Sequence, residues 1–71
     1  MHRRFEFVEG SSSKFYEVAV ASTSVRVTFG RIGTAGQTQT KQFADAAEAQ
    51  KHAEKQIAQK LKKGYVEQVA A

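Results

Sequence analysis

The stretch KFYEVAVASTSVRVTFGR, residues 14–31, decides the fold. Tyr16, Val18 and Val20 fall on one side of an extended chain, with Phe15, Glu17 and Ala19 on the other. After Ser22-Thr23 the alternation resumes, with Val25, Val27 and Phe29 set against Arg26, Thr28 and Gly30. A period of two in both arms predicts strands over Lys14 to Ala21 and Ser24 to Arg31. The turn between them allows only an antiparallel hairpin, because a parallel return needs a crossover of about a dozen residues or more. Apolar residues on both sides of the first arm predict that it lies inside the sheet.

Upstream, Phe5 and Phe7 share a side opposite Arg4 and Glu6, which predicts a strand over Arg4 to Val8. The cluster Glu9-Gly10-Ser11-Ser12-Ser13 ends it, with a composition that suits either a turn or a mobile loop. Downstream, Gly33-Thr34-Ala35-Gly36 forms the next turn, and Gln37 to Phe43 is a fourth strand. Its Thr and Gln content suits an exposed or edge position.

The helix is the best-specified element. Asp45 and Glu48 make a capping-box pair, and Ala49, Ala53, Ile57, Leu61 and Tyr65 recur every four residues as an apolar stripe, with Ala46 and Ala58 on its flanks. Lys60, Lys62 and Lys63 suit the last turn, where cations complement the helix dipole. Gly64 is placed as the left-handed residue that follows the C-cap. The helix is therefore predicted from Ala46 to Lys63, after which Tyr65 and Val66 run outward and Ala70-Ala71 frays. The expected class is α+β: a small antiparallel sheet of about four strands packed on one C-terminal helix.

The chain has 71 residues, which predicts a single domain over residues 1–71, since chains of this size bury only about 60% of their unfolded surface. So small a core can hardly enclose a cofactor, and neither an enzyme nor a small-molecule cofactor is expected. No cysteine is present, which leaves no disulfide framework or thiolate metal site and fits a reducing, cytoplasmic setting. No apolar run approaches the ~18 residues of a membrane helix, and the basic start is not followed by a signal-peptide core. Eleven Lys and Arg stand against seven Asp and Glu, giving a net charge of +4 and a pI of about 9.7. The excess lies mostly in residues 1–43, which carry six basic and three acidic side chains. This small basic protein therefore favours a polyanionic partner.

Catalytic and metal sets are weak. His2 and His52 have no second histidine at ligand spacing. Asp45 and Glu48 already have a structural role as a cap, and Ser11 to Ser13 lack a nearby base. Gly30, Gly33 and Gly36 recur at intervals of three, but they stand between strands and do not open a helix, so a nucleotide loop is not supported.

The segment Phe29-Gly30-Arg31-Ile32-Gly33-Thr34-Ala35-Gly36-Gln37 resembles the signature of the WGR domain family: Trp-Gly-Arg, an apolar residue, Gly, Thr, any residue, Gly and commonly Gln. The one departure is Phe29, which stands where the family has tryptophan. Ser13-Lys14-Phe15-Tyr16-Glu17, Lys41-Gln42-Phe43 and Lys60-Leu61-Lys62-Lys63-Gly64-Tyr65 resemble further family blocks in the same order. The resemblance implies an antiparallel sheet flanked by a helix and a non-catalytic module, known from DNA-dependent poly(ADP-ribose) polymerases, that binds near DNA breaks and relays contacts between domains.

The resemblance also implies that Arg31 contacts phosphate and that Phe29 occupies the position of a tryptophan that packs on a sugar. Guanidinium forks match phosphate oxygens, and aromatic faces lie on ribose or bases. The expected nucleic-acid surface is Phe29, Gly30, Arg31, Thr34, Gln37 and Lys41. Structural readings stand beside it. An unbroken strand buries Phe29 with Val25 and Val27, whereas a bulge at Gly30 would turn it outward. Arg31 also reads as an ordinary exposed arginine. The alternative function is a protein-interaction module docking on a DNA-processing enzyme or scaffold, with the edge at Gln37 to Phe43 suited to strand addition.

Overall fold

The computed structural model describes residues 1–68; the expected fraying of Ala70-Ala71 lies outside them. The elements are β1 (His2–Glu9), β2 (Ser12–Ala21), β3 (Ser24–Arg31), β4 (Gln37–Gln42), α1 (Ala46–Lys62) and β5 (Val66–Gln68). All strand pairings are antiparallel, and the order across the sheet is β4-β3-β2-β1-β5. The α+β class holds, with β2 inside the sheet and β4 at its edge as expected; among the described residues the sheet has five strands, where about four were expected.

The additional strand, β5, pairs with the outer edge of β1, Phe5 opposite Glu67. Three residues are too few for alternation to register, so the pairing is a tertiary event with no local signature. The β1–β2 turn also differs from expectation. The strands run on until Glu9 faces Ser12, leaving only Gly10 and Ser11 between them, with Gly10 at φ +58°.

Register explains the core. Phe5 faces Tyr16, Val18 faces Val27 and Val20 faces Val25, so one side of the sheet carries a continuous apolar surface. Phe5, Tyr16, Val18 and Val25 pack there against Ala49, Ala53 and Ile57 of the helix, with Phe29, Phe43 and Tyr65 partly buried around them. The helix alanines keep its axis close to the sheet. Burial of each large apolar side chain in this set contributes roughly 1.5–3 kcal/mol.

The helix begins as its sequence dictates. The Asp45 carboxylate accepts from the Glu48 N–H at 2.8 Å, and the Glu48 carboxylate reaches back to the Ala44 N–H at 3.3 Å. Asp45→Ala is expected to lower unfolding free energy by about 1 kcal/mol, measurable by urea denaturation. At the other end Gly64 has φ +104°, the Tyr65 N–H donates to the Lys60 carbonyl and the Gly64 N–H to that of Leu61, both at 3.1 Å. These two bonds form a Schellman closure.

The stripe departs from expectation at its last turn, where Leu61 is 47% exposed. Each four-residue step advances about 400° around a helix with 3.6 residues per turn, a drift of about 40°. By Leu61 the drift has carried the stripe off the sheet. Lys60, seven residues after Ala53, stays within about 20° of it and points inward.

The opposite side of the sheet has a small cluster of its own. Phe15 is buried beneath the Arg4 guanidinium, 4.6 Å above its ring, and it lies against Gly36. Arg4 is held by Glu17 and by Glu6 at 3.1 Å, while His2 meets Glu17 at 3.2 Å. Burial raises the Glu17 carboxyl, but the hydrogen bonds from Arg4 and then His2 outweigh it and hold the group below the usual carboxylate range. Arg3 grips Glu67 of β5 with two bonds of 2.7 and 2.6 Å, a bidentate geometry that fixes the short strand in place.

Candidate nucleic-acid interface

Residues from three elements and two connecting turns meet at one end of the sheet. Lys14 at the start of β2 faces Arg31 at the end of β3, and both share the parity of Tyr16 and Phe29, which puts them on the helix side. The inward Lys60 completes the group. With Ser11, Ser12, Ser13 and Tyr65 these residues line an open cleft of about 450 Å³ whose walls carry no carboxylate.

The Lys60 ammonium lies 4.8 Å from the Tyr16 ring centre and 5.3 Å from that of Tyr65. Burial pushes its pKa below the usual lysine value, and the positive charges of Lys63 and Lys14 push the same way. A cation held against both desolvation and repulsion gains from an anion placed beside it.

Phe29 stands in an unbroken β3, paired with Tyr16 on one side and Gln37 on the other; there is no bulge to turn it outward. It packs against the core while remaining half-exposed, and it lines both this cleft and a second one. Gly30 faces Phe15. Thr34 is committed to the turn: its N–H and hydroxyl both donate to the Arg31 carbonyl, at 3.1 and 2.7 Å. Gln37 is exposed beside Phe29.

Lys41 stands apart. It lies four residues further along β4, roughly 13 Å away at 3.3 Å per residue, opposite Val25. Its ammonium is 5.6 Å from the Phe43 ring centre, on the second cleft, of about 690 Å³, between β4 and the helix. The structure thus gathers Phe29, Gly30 and Arg31, adds Lys14 and Lys60, and separates Lys41.

Both additions had a signal in the sequence. A two-residue turn at Ser22-Thr23 fixes the register that sets Lys14 opposite Arg31. Counting helix positions at 100° each, instead of stepping by four, turns Lys60 inward. Among the described residues, no cluster of three or more His, Cys, Asp or Glu is placed to hold a metal ion, and no helix is long and apolar enough to cross a membrane.

The comparisons with known proteins agree with this architecture. A family model described as the WGR domain matches residues 1–71. Protein YehF of Escherichia coli is 46% identical over 66 residues, which are 93% of this chain and 24% of that protein. Protein YfeS of the same organism is 39% identical over 67 residues, 94% of this chain and 28% of the other. A crystal structure of a Bacteroides fragilis protein superposes with a TM-score of 0.94 at 51% identity, covering 97% of this chain and 20% of that one. The chain therefore spans about a quarter of the length of the curated relatives it matches. With the family pattern intact from Gly30 to Gln37 and the model matched over residues 1–71, this chain belongs to the WGR domain family.

Proposed function

We propose that the domain is a non-catalytic module that binds nucleic acid, DNA foremost, chiefly through the phosphate backbone. The observation that carries this reading is the convergence of Lys14, Arg31 and Lys60 on a cleft with no carboxylate in its walls. Arg31 supplies a planar fork and the two lysines act as point charges. Phe29 offers an aromatic edge to a sugar or base, Gly30 borders the cleft with its backbone, and Gln37 and Lys41 extend contacts along β4. The Thr34 hydroxyl proton is engaged in the turn, so its part is to hold Arg31 in place. Base-specific readout is not part of the proposal, because contacts of cations with phosphates fix position and carry no sequence information. The cysteine-free composition suits a cytoplasmic setting.

The test is an NMR titration of labelled protein with a short DNA duplex at low and high salt, on wild type and Arg31→Ala. The expected result is a set of shifts around Lys14, Phe29, Arg31 and Lys60 that fades with salt and is lost in the variant. The Lys60 side chain should also titrate at higher pH with DNA bound, because an adjacent phosphate stabilises the charged ammonium and so offsets the burial, and the repulsion from Lys63 and Lys14, that lower its pKa. Signals that stay fixed at low salt would sink the proposal. Binding that ignores salt would exclude phosphate contacts as its basis.

A further inference from the structure

A second surface carries its own argument. All six residues of β4 are exposed, and the strand ends the sheet. The Phe43 N–H donates to the Thr23 carbonyl at 2.8 Å. Antiparallel pairs alternate between hydrogen-bonded and non-bonded. The pairs Val25 with Lys41, Val27 with Gln39 and Phe29 with Gln37 therefore turn their backbone groups toward each other. Thr38, Thr40 and Gln42, opposite Thr28, Arg26 and Ser24, turn their N–H and C=O groups away from the sheet. Edges of this kind are normally blunted by proline, a bulge or several charges. This one has no proline, a continuous register and one charge, Lys41.

Beside this free ladder lies the cleft of about 690 Å³ between β4 and α1, with Tyr16, Val25, Val27 and Phe29 at its floor and Lys41 and Lys60 as its charged groups. No carboxylate lines it. We propose that the β4 edge accepts an extended acidic segment of a partner protein as an added strand. An apolar side chain of that segment would rest on the cleft floor, and carboxylates two residues to either side of it, on the same face of the added strand, would meet Lys41 and Lys60. Main-chain bonds to Thr38, Thr40 and Gln42 supply the register, and alternate side chains supply the selectivity. A second copy of this chain fits poorly: two domains of charge +4 would meet edge to edge, each bringing the positive Lys41 of its β4 to the seam.

The probe is a blocked heptapeptide, Thr-Glu-Thr-Phe-Thr-Glu-Thr, whose Phe and two Glu share one face of an extended chain, with a control in which each Glu is replaced by Lys. In wild type, the acidic peptide is expected to slow amide exchange at Thr38, Thr40 and Gln42, and the basic control is expected not to. Thr40→Pro removes an outward N–H that β3 does not use, a position where edge strands tolerate proline. It should weaken the peptide about tenfold or more, the scale of one missing backbone bond and its stranded partner, while Arg31→Ala leaves the affinity unchanged. Should Thr40→Pro fail to fold, exchange protection in the wild type decides alone. The proposal is overturned by any of four results: no binding at about millimolar peptide, equal binding of the basic peptide, perturbation confined to Lys14 and Arg31, or full affinity in a folded Thr40→Pro variant.

Discussion

Gly36→Ala is expected to lower unfolding free energy by about 2–5 kcal/mol, the sum of about 1–2 for a side chain in the left-handed region and about 1–3 for overpacking. Gly36 has φ +71°, and a Cβ there would lie 2.5 Å from the Phe29 carbonyl oxygen and 2.7 Å from Phe15 Cζ. Neither neighbour has room to retreat. Phe15 is buried under Arg4, and the Phe29 carbonyl belongs to the β3 backbone. Gly30 closes the remaining side, since a Cβ on it would come 2.8 Å from the Gly36 Cα. In so small a domain a loss of this size would remove much of the stability. Gly33→Ala is the control: Gly33 has φ +94° and nothing within 4 Å of its would-be Cβ, so it should show only the conformational share. Equal losses in urea denaturation of the two variants would mean that the close approach to Phe15 and the Phe29 backbone contributes nothing.

The other large effect concerns binding. Replacing Lys14, Arg31 and Lys60 together by alanine should flatten the salt dependence of duplex binding. Each phosphate that a side-chain cation neutralises adds about 0.9 to the slope of log affinity against log salt, so removing three such cations lowers it by about 2.7. At about 50 mM salt this amounts to a weakening on the order of a thousandfold, shrinking as salt rises. Fluorescence anisotropy with a labelled duplex, across a salt series, measures the slope directly. An unchanged slope would exclude this cleft as the phosphate site, whatever happened to affinity at a single salt concentration. None of the three side chains belongs to the apolar core cluster, so the variant should fold, and circular dichroism checks that it does.

How much of this is legible in the sequence follows the range of the interactions. The β2–β3 hairpin, with period two on both arms and a two-residue turn, is readable nearly to the residue, as is the strand β3 itself. The helix start at Asp45 and the Gly64 closure are readable too, because capping chemistry is local. The remainder is settled at a distance. β5 exists because Arg3 and the β1 edge lie waiting for Val66–Gln68, and no pattern in three residues announces that. A four-residue count assigns Leu61 to the core because it ignores the drift of the helix, and the same count hides Lys60. Phe29, Gly30 and Arg31 can be found together because they are adjacent in one strand. Lys14 and Lys60 require the register of a hairpin and the rotation of a helix to be worked through first.

The partnership of β1 with β5 has a consequence for the order in which the protein can form. The Arg3–Glu67 pair spans 64 residues, whereas the β2–β3 hairpin needs only its own short turn. During synthesis from the ribosome, β1 emerges well before β5, and its outer edge stays open until residues 66–68 have been made. Hairpins close in about 1–10 μs, far faster than residues are added, at about 5–20 per second. The nascent sheet therefore waits for its last strand for seconds, with one flank unsealed.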